Sequence, residues 1–505
     1  MSVLHRGTKP DSATPGDSKL FGRGLLYVTV LSLQLVAGII VSPILAHTLA
    51  PAEFGVLASG IALHQVIGVL ALLGIDKALV LERAEDTTDI ASRGLITVGI
   101  VLALIVTLVL GVSAPLWRSV LGFGANPDLL LAVLLWTVPA AAVQMMLCLL
   151  LTEDRFRPFA ILSAISAVGS QSIGLILLFT VRNDATTYAW GGVASQCLAM
   201  IVGFALTRPS IRGMLNWSVI ERALKLGFPL ALAGIASFLL SAGDRIIIQV
   251  LLGPEETGRY QVAFIVGSLV ILLLTFTSSA WTPRFAVLRT KAARTALAAY
   301  SRDQLYRVLM PMVLGVTLAA PIALRIAAPP SFRPESLTIV VFLVALAAFP
   351  VAASGATGQL LITQRRGNMI VIVTAVAVVV NVILNFLLVP IMGILGAAVA
   401  TVLAYGLMAK LQRLALPAEL FLQASPARLL SGVAAVIMAA AASIFLPQSV
   451  EWNVIRLVLA FGCLPWFIEA LRRARSASVD DSPRNRASRV RHRADRLSHR
   501  KAPTV

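Results

Sequence analysis

Apolar stretches of about 20 residues recur along the whole chain, separated by short clusters of charge, proline and glycine. A helix of that length crosses a hydrocarbon core of roughly 30 Å, whereas the helices of a soluble domain carry a polar face with a 3.6-residue period. The pattern predicts fourteen such helices, at 21–48, 55–75, 94–114, 129–151, 159–181, 187–207, 226–253, 258–281, 306–327, 335–362, 368–390, 393–414, 428–447 and 453–471. Ala50-Pro51-Ala52 has the small residues of a signal-cleavage site, but the run before it, 25–49, is too long for a signal peptide and is read as the first span.

Composition excludes the main alternative. Of 505 residues, 58% are hydrophobic and 13% charged, with a mean hydropathy of +0.87, too little polar surface for several soluble domains. The net charge of +18 would point to nucleic acid in a soluble protein; in a membrane protein it is read first as sidedness. An even number of helices puts both termini on one face. Without the tail, that face carries 24 Lys and Arg, against five on the other: Arg118, Arg182, Arg259, Arg333 and Arg456. Both termini are therefore expected in the cytoplasm, and Arg245 and Arg325 within spans. Cys148, Cys197 and Cys463 lie in apolar runs without metal-ligand spacing and read as small core residues.

The chain also repeats itself. Leu49-Ala50-Pro51-Ala52-Glu53-Phe54-Gly55 returns 203 residues later as Leu252-Gly253-Pro254-Glu255-Glu256-Thr257-Gly258, each time as the outer turn between the first two helices of a six-helix block. Parallel repeats of this kind are related by an axis along the membrane normal, as in two-lobed transporters. The expected organisation is an N-terminal arm (1–20), an N-lobe (21–207), a linker (208–225), a C-lobe (226–414), two further helices (415–471) and a basic tail (472–505). In the linker, Met214, Leu215, Trp217, Ile220 and Leu224 alternate with Arg212, Glu221, Arg222 and Lys225; it reads equally as an interfacial helix or a solvated connector. The tail has 11 basic residues against three aspartates, a composition that predicts disorder and loose adsorption to anionic lipid rather than a nucleic-acid site.

Three segments together resemble the polysaccharide (Wzx-like oligosaccharide) flippases of the multidrug/oligosaccharidyl-lipid/polysaccharide exporter superfamily. They are the first turn with Gly74-Ile75-Asp76-Lys77-Ala78-Leu79, the second turn with Arg259-Tyr260, and residues 381–390 followed by Gly393-Ile394-Leu395-Gly396. The resemblance extends over about 20–470. It implies an all-α membrane protein with two six-helix lobes in a V around a central cavity, plus two C-terminal helices. It also implies that an undecaprenyl-diphosphate-linked sugar is moved between leaflets by alternating access. Lipid II flippases carry charged residues in their first helix, but 25–49 here holds only Gln34 and His47 as stronger polar groups, which argues against a peptidoglycan precursor as cargo.

No Gly-Lys dipeptide and no metalloprotease His-Glu spacing occur, so no catalytic residue, cofactor or metal is expected and the work is binding and conformational change. A diphosphate and a glycan call for a cation and hydrogen-bonding groups near mid-membrane. Asp244-Arg245 is the clearest candidate, because intramembrane charge is costly and usually faces a cavity or a partner. Asp244 lies nine residues before Gly253, about 13 Å below the outer end of its helix. His64 stands nine residues after Gly55 and Asn381 nine before Pro390, which predicts a polar layer at one depth; Asn385 shares a helix face with Asn381. Packing partners within the lobes are the alternative for each. Lys77, at the inner end of the second helix, either meets an arriving diphosphate or anchors the helix. Gln34, Gln144, Gln171, Gln196 and Gln359 suit sugar binding or interhelical bonds, and Arg325 is expected to snorkel to headgroups.

The expected function is a flippase for surface polysaccharide, lipopolysaccharide or exopolysaccharide assembly in a bacterial inner membrane. Expected partners are the lipid-linked oligosaccharide and anionic lipids, with a polysaccharide polymerase and glycosyltransferases as neighbours. The alternatives are an ion-coupled small-molecule exporter, which needs an acidic cavity that Asp244 beside an arginine does not supply, and a non-transporting scaffold for glycan assembly.

Overall fold

The structure, a computed structural model, describes residues 30, 36–85, 89–279, 285, 288, 290–417, 419, 420 and 422–480. Among these residues there is no strand, and thirteen helices are long and apolar enough to cross a membrane. The shorter apolar helix Val36–Thr48 is the described end of the first predicted span; the rest of that span, the arm 1–20 and residues 481–505 of the tail lie outside the described residues. The protein is an all-α membrane protein, and the chain divides into two compact units, Met1–Gly258 and Arg259–Val505.

The first unit contains α1 (Val36–Thr48), α2 (Pro51–Leu72), α3 (Ile75–Glu85), α4 (Ile90–Trp117), α5 (Pro127–Thr152), α6 (Phe156–Thr180), α7 (Ala185–Thr207) and α8 (Trp217–Leu252). Its core joins Ile75, Leu79, Leu95, Ile96, Met145, Met146, Leu149 and Leu162, from α3 to α6. One stripe of α4 is the reverse of a soluble surface: Leu104, Leu108 and Val112, four residues apart, are 57 to 75% exposed, as a lipid-facing helix requires.

Helix α2 starts where Pro51 supplies a pre-set φ at its first turn. Glu53 in that turn accepts the Ala185 N–H at 2.9 Å, tying the start of α2 to the start of α7. The helix ends at Leu73 and Gly74, both with positive φ (44° and 76°). A side chain at Gly74 would lie 2.1 Å from the Gly227 carbonyl oxygen of α8, so only glycine permits both the turn and the crossing. Within α6, a π-helical turn at Ile165–Gly169 is served from α7: Ser195 Oγ donates to the Ile165 carbonyl at 2.8 Å and Gln196 Nε2 to Ser166 Oγ at 2.8 Å.

The duplicated turns meet each other inside this unit. A Cβ at Gly55 would fall 1.8 Å from the Pro254 oxygen, and one at Gly258 would fall 2.1 Å from the Pro51 oxygen. The offset of 203 residues carries Pro51 to Pro254 and Gly55 to Gly258. The two contacts are therefore one contact and its reciprocal, the signature of a two-fold relation between the turns.

The second unit takes up α9 (Pro254–Ser279) after its first turn, then α10 (Lys291–Ala327), α11 (Pro334–Thr363), α12 (Gly367–Met392), α13 (Ile394–Leu414), α14 (Ala427–Ile444) and α15 (Val450–Asp480). Val270, Leu305, Leu309, Val313, Ala345, Phe349 and Val436 form its main core. Helices begin earlier than hydropathy indicates. Residues 217–225 of the predicted linker are the first turns of α8, α10 starts at Lys291 rather than 306, and residues 472–480 of the predicted tail continue α15. Helical hydrogen bonding does not stop where the hydrocarbon stops.

Candidate functional site

Asp244 and Arg245 stand in α8 after the small residues Ser241, Ala242 and Gly243, and both are buried, at 2% and 6% exposure. Arg245 Nη1 donates to Asp244 Oδ1 at 3.0 Å and to the Ser241 carbonyl one turn earlier at 2.9 Å. The long guanidinium thus bends back along its own helix to reach the neighbouring carboxylate. The Arg245 carbonyl accepts from Ser59 Oγ of α2 at 3.3 Å. A desolvated, hydrogen-bonded ion pair is tolerated inside a membrane helix bundle where an isolated charge is not.

His64 does not join that pair. Its ring stacks on Trp136 of α5, with centroids 4.6 Å apart and planes 24° apart, and its Nδ1 lies 3.5 Å from Thr137 Oγ1. Lys77 lies beyond the end of α2, in α3, with its ammonium 3.0 Å from Asp76. Desolvation lowers the Lys77 pKa, but the Asp76 carboxylate outweighs it and holds the ammonium above its ordinary value. Its side chain is 58% exposed while Asp76 is buried, leaving the lysine open to a further anion.

Asn381 and Asn385 belong to the second unit, buried on α12, which packs chiefly on α13. Asn385 Nδ2 donates to the Asn381 carbonyl at 2.9 Å and to its Oδ1 at 3.2 Å. Asn381 Nδ2 and Asn385 Oδ1 make no further hydrogen bond among the described residues. The structure thus brings together Asp244 with Arg245 and Asn381 with Asn385, and gives His64 and Lys77 other partners, Trp136 and Asp76. Gln196 bonds across to α6 and Gln144 lies 3.8 Å from Cys148 Sγ.

Two charge clusters have no counterpart in the sequence analysis, and one arginine it places on an outer loop is buried. Glu153, 8% exposed, has Arg155 at 3.3 Å and Arg83 and Arg93 at 3.7 Å. Arg93 and Arg155 also donate to the Thr207 and Leu206 carbonyls at the C-terminus of α7, where a helix attracts cations. In the second unit, Arg302 is buried and binds Asp303 Oδ1 through Nε and Nη2 at 3.0 and 2.9 Å, and Ser425 donates to the same oxygen at 2.6 Å. The adjacent opposite charges of Arg302-Asp303 are a signal like that of Asp244-Arg245, but they fall in a polar stretch that hydropathy reads as a loop and that is helical in α10. Arg456, counted on an outer loop, is 1% exposed within α15. It donates to the Ser443 and Leu446 carbonyls at 2.7 and 2.6 Å, capping the C-terminus of α14.

This arrangement of helices is shared with known transporters. A lipid II flippase, MurJ, in an inward closed conformation superposes with a TM-score of 0.66 at 15% identity, covering 89% of this chain and 99% of that one. An inward-facing multidrug resistance MATE family transporter of the MOP superfamily gives 0.56 at 13% identity, covering 83% and 98%. A Vibrio cholerae MATE transporter gives 0.52 at 14% identity, covering 79% and 94%. The fold is therefore that of the flippases and exporters of this superfamily. The family described as "Polysaccharide biosynthesis protein" matches residues 44–334, more than half of the chain, and the protein belongs to it. No curated protein matches the sequence.

Proposed function

We propose that the protein is a flippase that carries an undecaprenyl-diphosphate-linked oligosaccharide across a bacterial inner membrane by alternating access, for surface polysaccharide or exopolysaccharide assembly. The observation that carries this reading is a buried Asp244–Arg245 pair in a spanning helix of a chain from a polysaccharide-biosynthesis family with a flippase-like fold. In the resting arrangement Asp244 is the anion of Arg245; a cargo diphosphate, which accepts a guanidinium in bidentate fashion, replaces it. Lys77, exposed beyond α2, meets the diphosphate at the inner leaflet. His64 and the Asn381–Asn385 pair offer hydrogen bonds to the glycan. Both termini face the cytoplasm, in keeping with the positive-inside distribution, and the basic tail rests on anionic lipid. A polymerase and glycosyltransferases are the expected neighbours.

The test is reconstitution of the full chain into vesicles with a labelled polyprenyl-diphosphate sugar. Protein-dependent appearance of the sugar in the opposite leaflet is the expected result. Correctly inserted protein that leaves the label in its original leaflet would overturn the reading and favour a scaffold.

A further inference from the structure

Basic residues are scarce on the face assigned to the outside, and the second unit gathers two of them, Arg259 and Arg333, with Arg325 from the end of α10, around one short segment. The link from α10 and the first turn of α11 run through Pro329, Pro330 and Pro334, each with a ring-fixed φ. They form two 3₁₀ turns, Pro330–Phe332 and Pro334–Leu337, joined at Arg333 in the left-handed conformation, φ 49°. A residue with a side chain adopts that conformation at a cost that glycine avoids.

The segment is clamped from below. Phe332 is fully buried, and its carbonyl accepts from Arg259 Nε at 3.2 Å; Arg259 Nη2 also reaches Ser336 Oγ at 2.7 Å. Arg259, 8% exposed, is the clamp and not a ligand group. Above it opens a cavity of about 540 Å³ whose lining includes Arg325, Arg333, Glu335 and Ser336. Arg325 Nη2 binds Glu335 Oε1 at 2.9 Å, and the Glu335 carbonyl is held by Gln448 Nε2 at 2.9 Å. Arg333 is exposed and makes no ion pair among the described residues. Two guanidiniums thus line the cavity, one of them paired with the Glu335 carboxylate, on a segment clamped by Arg259. A snorkelling role accounts for Arg325 alone, not for a second arginine lining the same cavity from a left-handed backbone position.

We infer that this cavity is an outward-facing oxyanion site, taking a phosphate or carboxylate group presented at the outer surface. Guanidinium forks match both groups. The assignment of that group to the exported glycolipid, as its diphosphate or an acidic sugar, rests on the flippase reading; the site does not.

The experiment is calorimetric titration of the purified full chain in nanodiscs with inorganic diphosphate and, separately, with glucuronate. Saturable binding of at least one is expected, weakened about tenfold or more in Arg325→Gln/Arg333→Gln, which loses both forks. Glu335→Gln frees Arg325 of its carboxylate and should tighten binding about threefold or more, a gain that misfolding cannot produce. Arg182→Gln, an exposed arginine outside the segment, should change nothing. Preference for diphosphate identifies a headgroup, and preference for glucuronate an acidic sugar. Absence of saturable binding, or binding insensitive to both Arg325→Gln/Arg333→Gln and Glu335→Gln, overturns the site. Leaflet exchange measured on the same preparations separates the two ideas: binding without exchange keeps the site and removes the flippase reading, and exchange without binding does the reverse.

Discussion

Replacing Arg245 by alanine removes one member of a pair whose atoms are 3.0 Å apart and whose side chains are 7% and 2% exposed. At an effective dielectric constant of 20, that separation corresponds to a direct attraction of about 5 kcal/mol. Breaking such a pair from one side costs about 3–5 kcal/mol, because the remaining charge is stranded without solvent. Arg245→Ala should therefore lower the amount of folded, inserted protein and its thermal stability in detergent. Asp244→Asn/Arg245→Ala leaves no stranded charge and should recover most of both. Transport separates the structural from the cargo role. A charge-assisted hydrogen bond contributes about 1.5–3 kcal/mol, so losing the contact to a diphosphate should cut transport per inserted molecule roughly 10- to 150-fold, in the double variant as well as the single. Arg245→Lys, with a point charge in place of a fork, should fall between. Leaflet exchange of a labelled lipid-linked sugar, normalised to inserted protein, is the assay. Near-normal exchange by the double variant would refute the reasoning, since it would reduce Arg245 to the partner of Asp244.

The remaining expectations are simpler. A cysteine at Ser331, exposed in the proline-rich segment, should react with an impermeant thiol reagent on intact cells, whereas one at Gly367, exposed at the start of α12 with nothing near its Cβ, should react only after permeabilisation; the opposite pattern would invert the topology. Gly258→Ala puts a methyl 2.1 Å from the Pro51 oxygen and should destabilise by about 1–3 kcal/mol or more, read as a lower melting temperature in detergent. Arg456→Met leaves the Ser443 and Leu446 carbonyls uncapped and should cost about 1.5–3 kcal/mol by the same measurement. The Glu419 carboxyl is held below its ordinary pKa by its hydrogen bond and charge interaction with Lys291; a depressed folded-state pKa means the tether is intact above the usual carboxylate range and lost as pH falls through the lowered value, so Glu419→Gln should slightly lower stability at neutral pH and leave the acid end of the pH–stability profile, where the carboxyl is already protonated, unchanged.

The spans were legible in the sequence because each is a single run long enough to cross lipid, and hydropathy reports that directly. Their polar ends were not. The nine residues that α8 adds from Trp217 and the fifteen that α10 adds from Lys291 carry charge, and a hydropathy window reads charge as the end of a helix. Asp244-Arg245 stood out because it interrupts an apolar run; Arg302-Asp303, built alike, was hidden in one of those polar extensions. The glycines of the repeated turns could be seen to recur, but that they recur because each turn packs on the backbone of the other is a fact of three dimensions. Counting residues gives His64 and Asp244 similar depths. Counting fixes height along a helix and says nothing about azimuth, and His64 turns toward Trp136 of α5.

The two backbone-to-backbone approaches on α2 have a mechanical consequence. Gly55 bears on the turn after α8 and Gly74 on Gly227 within α8. The 19 residues between Gly55 and Gly74 amount to roughly 28 Å of helix, close to the full depth of the hydrocarbon. A rod pinned at both ends can bow at its centre but cannot hinge or slide along its support. Separation of α2 from α8 is thereby resisted at both ends, which leaves the other helices of the first unit as the easier place for rearrangement.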